Sequence, residues 1–148
     1  EEIGKRIPVV FPVHPRTKKM ILELPSIERL ANTVGLWFIP PLGYLDFLGL
    51  YSRARLVLTD SGGIQEETSV LGIPCLTLRE NTERPITVTM GTNKIVGTDT
   101  EKIVDAAFAA LAETAKPAVR IPLWDGHTAE RILDALEHYA EAGASPPS

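Results

Sequence analysis

Short runs of Val, Ile and Leu recur along the chain, separated by longer segments in which apolar residues return at helical spacing. This pattern is typical of a parallel sheet covered by helices on both faces. None of the runs alternates cleanly between apolar and polar residues, so we expect each strand to be buried on both sides. The predicted strands are residues 7–13, 36–41, 55–60, 74–79 and 93–97.

Helices are predicted between these strands and after the last one. The first is expected to be interrupted at Pro25, because proline lacks the backbone N–H that a helix interior requires. The last two are amphipathic, with apolar residues returning on one side. The predicted helices are residues 17–32, 44–54, 62–71, 83–90, 99–115 and 128–143. The sequence therefore predicts an α/β fold in one domain, residues 1–148, with a doubly wound, mostly parallel Rossmann-like sheet of about five strands.

Composition places the chain among globular proteins that are soluble in water. Of its 148 residues, 44% are apolar and 23% are charged. No run approaches the roughly 18 apolar residues that span a bilayer, and the start "EEIGKRIPVV" lacks the layout of a signal peptide. The net charge of −4 offers no overall attraction for nucleic acid. We therefore expect a cytoplasmic protein with neither a membrane nor a nucleic acid as partner.

Metal and cofactor sites are not predicted. The single cysteine, Cys75, lies in an apolar run, and it can form neither an internal disulfide nor a cysteine-based metal cluster. The three histidines lack the spacing of metal ligands. The chain also lacks the Gly-x-Gly-x-x-Gly fingerprint of dinucleotide binding. We expect Cys75 to be a buried structural thiol.

The segment "TDSGGIQEE", residues 59–67, raises two interpretations. Asp60, Ser61 and the glycines after them look like the loop around a protease nucleophile. A protease serine in such a loop needs a histidine base with a carboxylate behind it, and it needs an all-β framework. This chain has an α/β pattern instead. A nucleophile elbow would need glycine two residues before the serine, where the chain has Thr59. A nucleophilic serine is therefore rejected.

The second interpretation is an anion cradle. Ser61 follows a predicted strand as an N-cap, and Gly62 and Gly63 open the next helix, so free backbone N–H groups point out of the sheet edge. Glycine allows a phosphate to approach the backbone closely. Glu67 lies one turn further, about 5 Å along the axis, where its carboxylate can accept hydrogen bonds from ribose hydroxyls. The alternative is an ordinary strand-to-helix turn with Glu66 and Glu67 in solvent.

The segment "LTDSGGIQEETSVLGIPCLTLRENTERPITVTMGTNKIVG" resembles the C-terminal domain of the non-hydrolysing UDP-N-acetylglucosamine 2-epimerases, which belong to the glycosyltransferase-B-like class. The segments "FPVHPRT", "PPLGYLDFLGL" and "DGHTAERILDAL" extend the resemblance over essentially the whole chain. It implies two Rossmann-like domains that face each other across a cleft. UDP then binds mainly to the C-terminal domain, which this chain represents.

The same resemblance implies a role for each residue of the cradle. Ser61, Gly62 and Gly63 are expected to bind the diphosphate, and Glu67 the ribose. Arg84 is expected to reach the phosphate and sugar, where its guanidinium can neutralise the departing UDP and stabilise this leaving group.

Three further residues have roles that the resemblance implies and alternatives that the residues themselves leave open. Phe47 and the backbone near Leu42 are expected to hold the uracil, although Phe47 also lies among leucines and is a candidate for core packing. His14 matches a position that contributes to a second, regulatory UDP-N-acetylglucosamine site between the domains. Taken alone, His14 is a histidine at a strand end with an ordinary hydrogen bond.

The family reaction implied is interconversion of UDP-N-acetylglucosamine and UDP-N-acetylmannosamine, by elimination of UDP and its re-addition, in cell-surface polysaccharide biosynthesis. Its acid and base carboxylates belong to an N-terminal domain that nothing in this sequence matches, so the isolated chain is expected to be inactive and its parent a homodimer. Two alternatives stay open: the nucleotide-binding domain of a glycosyltransferase of the same architecture, and a stand-alone nucleotide-sugar-binding module.

Overall fold

Five parallel strands and seven α-helices form the described part of the chain, residues 1–113 and 120–141 of a computed structural model. A 3-10 turn at Ile3–Lys5 precedes the first strand. The strands are β1 (Val9–Pro12), β2 (Leu36–Ile39), β3 (Val57–Thr59), β4 (Cys75–Thr77) and β5 (Asn93–Ile95). The helices are α1 (Pro15–Leu22), α2 (Ile27–Ala31), α3 (Tyr44–Tyr51), α4 (Gly62–Leu71), α5 (Pro85–Thr89), α6 (Thr100–Ala112) and α7 (Thr128–Glu141).

All strand pairs are parallel, which confirms the predicted α/β class. Each strand is shorter than predicted, and prolines at three of the ends give one reason: Pro8, Pro40 and Pro74 flank the ladders and cannot donate a backbone hydrogen bond. One feature differs from the expected sheet of about five strands. The strands are divided between two ladders, β1–β2 and β3–β4–β5.

The division falls between β1 and β3, where a cavity of about 690 Å³ separates the two ladders. Its lining includes Val10 and Phe11 from β1 and Leu58 from β3. Apolar runs predict strands but do not specify which strands share hydrogen bonds, so the sequence pattern could not show this gap.

Helix α4 has the bounds predicted for it, residues 62–71. It ends at Gly72, whose φ of +72° is the left-handed conformation that favours glycine, and Ile73 N donates to Thr68 O at 2.9 Å. The helix predicted at 17–32 is broken around Pro25 into α1 and α2, as expected. The helix predicted at 128–143 is described up to Glu141, so residues 142 and 143 lie outside the described range.

The buried side of α4 is polar. Gln65, Thr68 and Ser69 are almost fully buried, and the helix contacts all three strands of its ladder. The apolar Val70, by contrast, is 56% exposed. Cys75 of β4 is buried as predicted, and this burial raises the pKa of its thiol to about 11.

The last helix, α7, has the amphipathic pattern that the sequence predicts, but its apolar side is open. Ile132, Leu133, Leu136 and Tyr139 are each about half exposed. Of the helices in the described ranges, none is long and apolar enough to cross a membrane.

Candidate functional site

The N-terminus of α4 lies directly after β3. Ser61 takes the N-cap position with extended backbone angles, φ −84° and ψ 125°. The first hydrogen bond within the helix runs from Gln65 N to Ser61 O at 3.3 Å. The N–H groups of Gly62 and Gly63 precede that bond, so helix geometry leaves them without an intrahelical acceptor. They form the donor end of the helix macrodipole, which favours an anion.

Glycine at positions 62 and 63 is not explained by the chain itself. Neither residue has a positive φ. A Cβ at Gly62 would lie 3.7 Å from Cγ of Arg84, and a Cβ at Gly63 would lie 4.0 Å from Oγ of Ser61, both ordinary contacts. The folded chain therefore has room for alanine at both positions. A ligand bound against this backbone would occupy the space that the methyl group of an alanine needs.

The Ser61 hydroxyl is placed to contact such a group. Within residues 1–113 and 120–141, it makes no capping hydrogen bond to α4. The ring of His14 accepts a hydrogen bond from Arg16 N, and the rings of His127 and His138 bond within the segment that includes α7. The Nδ1 atom of each histidine thus has a partner in its own helical segment.

Arg84 lies beside this helix terminus. It is the N-cap of α5, and its side chain lies where a Cβ on Gly62 would point, 3.7 Å from Cγ. Its Nε lies 2.8 Å from Oε1 of Glu66, in a pair whose side chains are both about 40% exposed. Nη1 of Arg84 also donates to the carbonyl of Glu83 at 3.3 Å. A guanidinium has five donors, so donors remain for a phosphate while these two contacts are made.

A buried polar cluster lies beneath Arg84. Oε1 of Gln65 accepts hydrogen bonds from the Thr82 hydroxyl at 2.6 Å and from Nδ2 of Asn93 at 3.2 Å. Oδ1 of Asn93 in turn accepts from the Thr77 hydroxyl at 2.6 Å. The cluster connects α4, β4 and β5 with the loop that carries Arg84.

Glu67 is held by two tyrosines of α3. Its Oε1 accepts a hydrogen bond from the Tyr44 hydroxyl at 3.1 Å, and its Oε2 accepts one from Tyr51. Burial, and then the hydrogen bond to Glu67, raises the pKa of Tyr51, and the same carboxylate raises the pKa of the exposed Tyr44. Both phenols therefore stay protonated donors at neutral pH. Since each carboxylate oxygen has two lone pairs, Glu67 keeps acceptor capacity for a ligand.

Phe47 connects to this arrangement through Tyr51. The two rings meet edge to face, with centroids 5.1 Å apart and an interplanar angle of 72°. Phe47 is half-buried, and it lines the cavity between the ladders together with Ser61. Leu42 is exposed just before α3. This position suits both roles considered for Phe47, packing in the core and contact with a ligand.

The sequence-predicted residues form one group and an outlier. The side chain of Arg84 lies beside Gly62, and hydrogen bonds link Glu67 to α3. His14, in contrast, is exposed and caps α1 after β1, on the other ladder. In the described part of the chain, no three His, Cys, Asp or Glu side chains converge where they could hold a metal ion.

Six residues of the site were not predicted: Tyr44, Tyr51, Gln65, Thr77, Thr82 and Asn93. Tyr44 and Tyr51 lie seven residues apart and so share one face of α3, but their contact with Glu67 depends on how two helices pack. Gln65 gave a local signal, since Gln65, Thr68 and Ser69 place three polar side chains on a single helix face.

Comparison with known proteins identifies what this chain is similar to. The family model described as UDP-N-acetylglucosamine 2-epimerase matches residues 1–137. A UDP-N-acetylglucosamine 2-epimerase of Methanococcus maripaludis is 50% identical over 128 residues, which are 86% of this chain and 34% of that protein. The UDP-2,3-diacetamido-2,3-dideoxy-D-glucuronate 2-epimerase of Pseudomonas aeruginosa is 44% identical, over 87% of this chain and 34% of that protein.

The crystal structure of the Methanocaldococcus jannaschii UDP-GlcNAc 2-epimerase in complex with UDP-GlcNAc and UDP gives the same result for the fold. It matches with a TM-score of 0.76 and 42% identity, over 88% of this chain and 36% of that chain. The chain therefore spans about a third of the length of these relatives.

Proposed function

Since this chain belongs to the UDP-N-acetylglucosamine 2-epimerase family, we propose that it is the UDP-binding, C-terminal Rossmann-like part of such an epimerase. The parent protein would interconvert UDP-N-acetylglucosamine and UDP-N-acetylmannosamine by eliminating UDP and adding it back. The observation that carries the proposal is the pair of glycines at the start of α4, for which the fold itself supplies no reason.

The diphosphate would bind at this helix terminus. The N–H groups of Gly62 and Gly63 and the Ser61 hydroxyl supply neutral donors, and Arg84 supplies a positive charge beside them. Charge-assisted hydrogen bonds of this kind strengthen as negative charge grows on the bridging oxygen of a departing UDP. Arg84 would thus stabilise the leaving group as well as bind it.

The uridine would extend from the cradle toward α3. Glu67, fixed by Tyr44 and Tyr51, has lone pairs left to accept the ribose hydroxyls. Phe47 and the backbone near Leu42 would hold the uracil. The hydrogen bond from Tyr51 to Glu67 and its ring contact with Phe47 would couple recognition of the ribose to recognition of the base.

The acid and base groups of the reaction would come from an N-terminal domain outside this chain. The relatives are about three times as long as the matched segment, which supports a further domain. The chain alone would then bind UDP without catalysing epimerisation. The homodimeric parent and the regulatory role of His14 are also proposals, and the exposed position of His14 is compatible with a contact to another domain.

The sugar is the least constrained part of the substrate. The names of the two relatives share UDP and epimerisation at carbon 2 but differ in the sugar. Their match favours an epimerase over a glycosyltransferase of the same architecture. Assay of a protein that contains this chain and its N-terminal domain separates the two. Interconversion without an acceptor supports the epimerase, whereas turnover that requires an acceptor contradicts it.

Binding is tested on the 148-residue chain by titration with UDP, followed through the amide signals in ¹⁵N-resolved NMR spectra. We expect the amides of Gly62 and Gly63 to shift and saturate, and Arg84→Ala to weaken the binding. Arg29→Ala is the matched control, because Arg29 also forms an exposed ion pair, with Glu1 at 2.7 Å, but lies on α2. Unperturbed glycine amides at millimolar UDP would contradict the proposed function.

A further inference from the structure

We propose that Gln65 and Thr82 are positioning residues, which place Arg84 beside the anion cradle through a chain of hydrogen bonds that leads from the loop into the buried polar cluster. The inference rests on the proposed function, since it assigns Arg84 to the diphosphate. Neither residue belongs to the cradle: Gln65 points into the fold and is 1% exposed, and Thr82 lies in the loop before α5.

Both peptide groups of Arg84 are tied to this chain of bonds. Its N–H donates to the Thr82 hydroxyl at 2.9 Å, and that hydroxyl donates to Gln65 at 2.6 Å. Its carbonyl accepts from the Thr87 hydroxyl at 2.7 Å. Asn93 closes the circuit, because its Nδ2 donates both to Thr87 at 3.0 Å and to Gln65 at 3.2 Å.

The direction of each bond in the circuit is determined. The Thr82 hydroxyl accepts from a backbone N–H and donates its hydrogen to Oε1 of Gln65, because an amide oxygen can only accept. The Thr87 hydroxyl donates to a carbonyl, so it can only accept from Asn93. Gln65, Thr87 and Asn93 are buried, so an arrangement of the loop that broke their hydrogen bonds would leave a buried polar group unsatisfied.

This anchoring matters because the side chain of Arg84 is weakly held. Its pair with Glu66 and its 3.3 Å hydrogen bond to the carbonyl of Glu83 are both exposed, and exposed contacts fix a long side chain poorly. Helix α5 is only five residues long and cannot hold the loop by itself. Gln65 is fixed on the same helix as the cradle, so the circuit ties the position of the guanidinium to the position of the helix N-terminus.

The test is Thr82→Val, which keeps the shape of the side chain and removes its hydroxyl. Affinities for UDP and for uridine are measured by calorimetry on the 148-residue chain. We expect UDP to bind about fivefold more weakly, equivalent to one net hydrogen bond of about 1 kcal/mol, with uridine affinity unchanged. In an Arg84→Ala background, Thr82→Val should have no further effect, since it acts through Arg84.

Thr68→Val is the matched control. Thr68 is buried and Thr82 half-buried, but the hydroxyl of Thr68 bonds the carbonyls of Ile64 and Gln65 within α4, not the Arg84 loop. Its removal should leave the ratio of UDP to uridine affinity unchanged, and urea unfolding monitors the stability of both variants. The positioning role is wrong if Thr82→Val leaves UDP affinity intact while Arg84→Ala weakens it. It is equally wrong if Thr82→Val weakens UDP binding by the same factor without Arg84.

A measurement without ligand separates this inference from the proposed function. The ¹⁵N relaxation of the Arg84 Nε–H reports how firmly the side chain is held. Increased motion in Thr82→Val but not in Thr68→Val supports positioning whether or not UDP binds. If the unsubstituted chain does not bind UDP, but Thr82→Val still increases the motion of Arg84, the proposed function is contradicted and the positioning role is not. Unchanged motion in Thr82→Val overturns the positioning.

Discussion

Replacing Gly63 by alanine should separate what the fold needs from what a ligand needs. The added methyl group would lie 4.0 Å from Oγ of Ser61, an ordinary contact, and the backbone there has no positive φ. Alanine is favoured over glycine in helices by up to about 1 kcal/mol, so the free energy of unfolding should stay equal or rise slightly. Stability therefore gives no reason for glycine at this position.

Binding should respond in the opposite direction. A methyl group at the helix terminus holds a phosphate away from the backbone N–H groups, and each lost hydrogen bond to a charged group is worth about 1.5–3 kcal/mol. The dissociation constant for UDP should therefore rise about 10- to 150-fold. Urea unfolding followed by circular dichroism measures stability, and calorimetric titration with UDP measures affinity.

Gly49→Ala is the matched control for this prediction. Gly49 lies in α3, where a Cβ would meet no atom within 4 Å. Gly49→Ala should raise the free energy of unfolding by a similar amount and leave the affinity for UDP unchanged. The reasoning is refuted if Gly63→Ala binds UDP as tightly as the unsubstituted chain. It is also refuted if Gly63→Ala unfolds the protein, since an internal packing need would then explain the glycine.

Two further predictions concern Glu67 and Cys75. Glu67→Gln should weaken UDP binding about tenfold, as expected for the loss of a hydrogen bond to a charged acceptor, and it should reduce the preference for UDP over 2′-deoxy-UDP. Calorimetry with both nucleotides measures this preference. An unchanged preference would show that Glu67 does not recognise the ribose. With its pKa raised to about 11, the Cys75 thiol should be about 0.1% ionised at pH 8, so a disulfide reagent should react slowly with the native chain and rapidly in urea. Because burial raises this pKa from 9.0 to about 11, the stability linked to it is complete below pH 9 and is lost as the pH rises through 11, which urea unfolding at pH 8 and pH 11 measures against Cys75→Ala.

The local features of the fold could be predicted because their causes are local. Apolar runs located all five strands, and Ser61 with Gly72 set the ends of α4 at the predicted residues. Proline separated α1 from α2 in the same way. The positions of Gly62 and Gly63 at a strand-to-helix junction followed from these boundaries alone. Their roles toward a ligand stay predictions.

The features that sequence reasoning missed depend on packing between distant elements. Glu67 meets Tyr44 and Tyr51 across two helices, 23 and 16 residues away along the chain. The contact of Gln65 with Asn93 spans 28 residues. Likewise, the gap between β1 and β3 concerns which strands pair, and strand periodicity contains no information on pairing. Such contacts follow from the tertiary arrangement, which a single sequence does not specify.

The polar buried face of α4 has a consequence for the mechanics of the protein. Dispersion contacts between apolar side chains have no strong direction, whereas hydrogen bonds weaken when their angle as well as their length changes. The bonds of Gln65 are directional and lengthen at once when the helix moves along its axis. The hydrogen bonds of Gln65 thus resist a movement of α4 along its axis. The exposed apolar residues on its outer side, Val70 and Leu71, make no such directional contact. A helix held this way keeps a constant depth at its N-terminus through fluctuations that would shift a helix packed only by hydrocarbon.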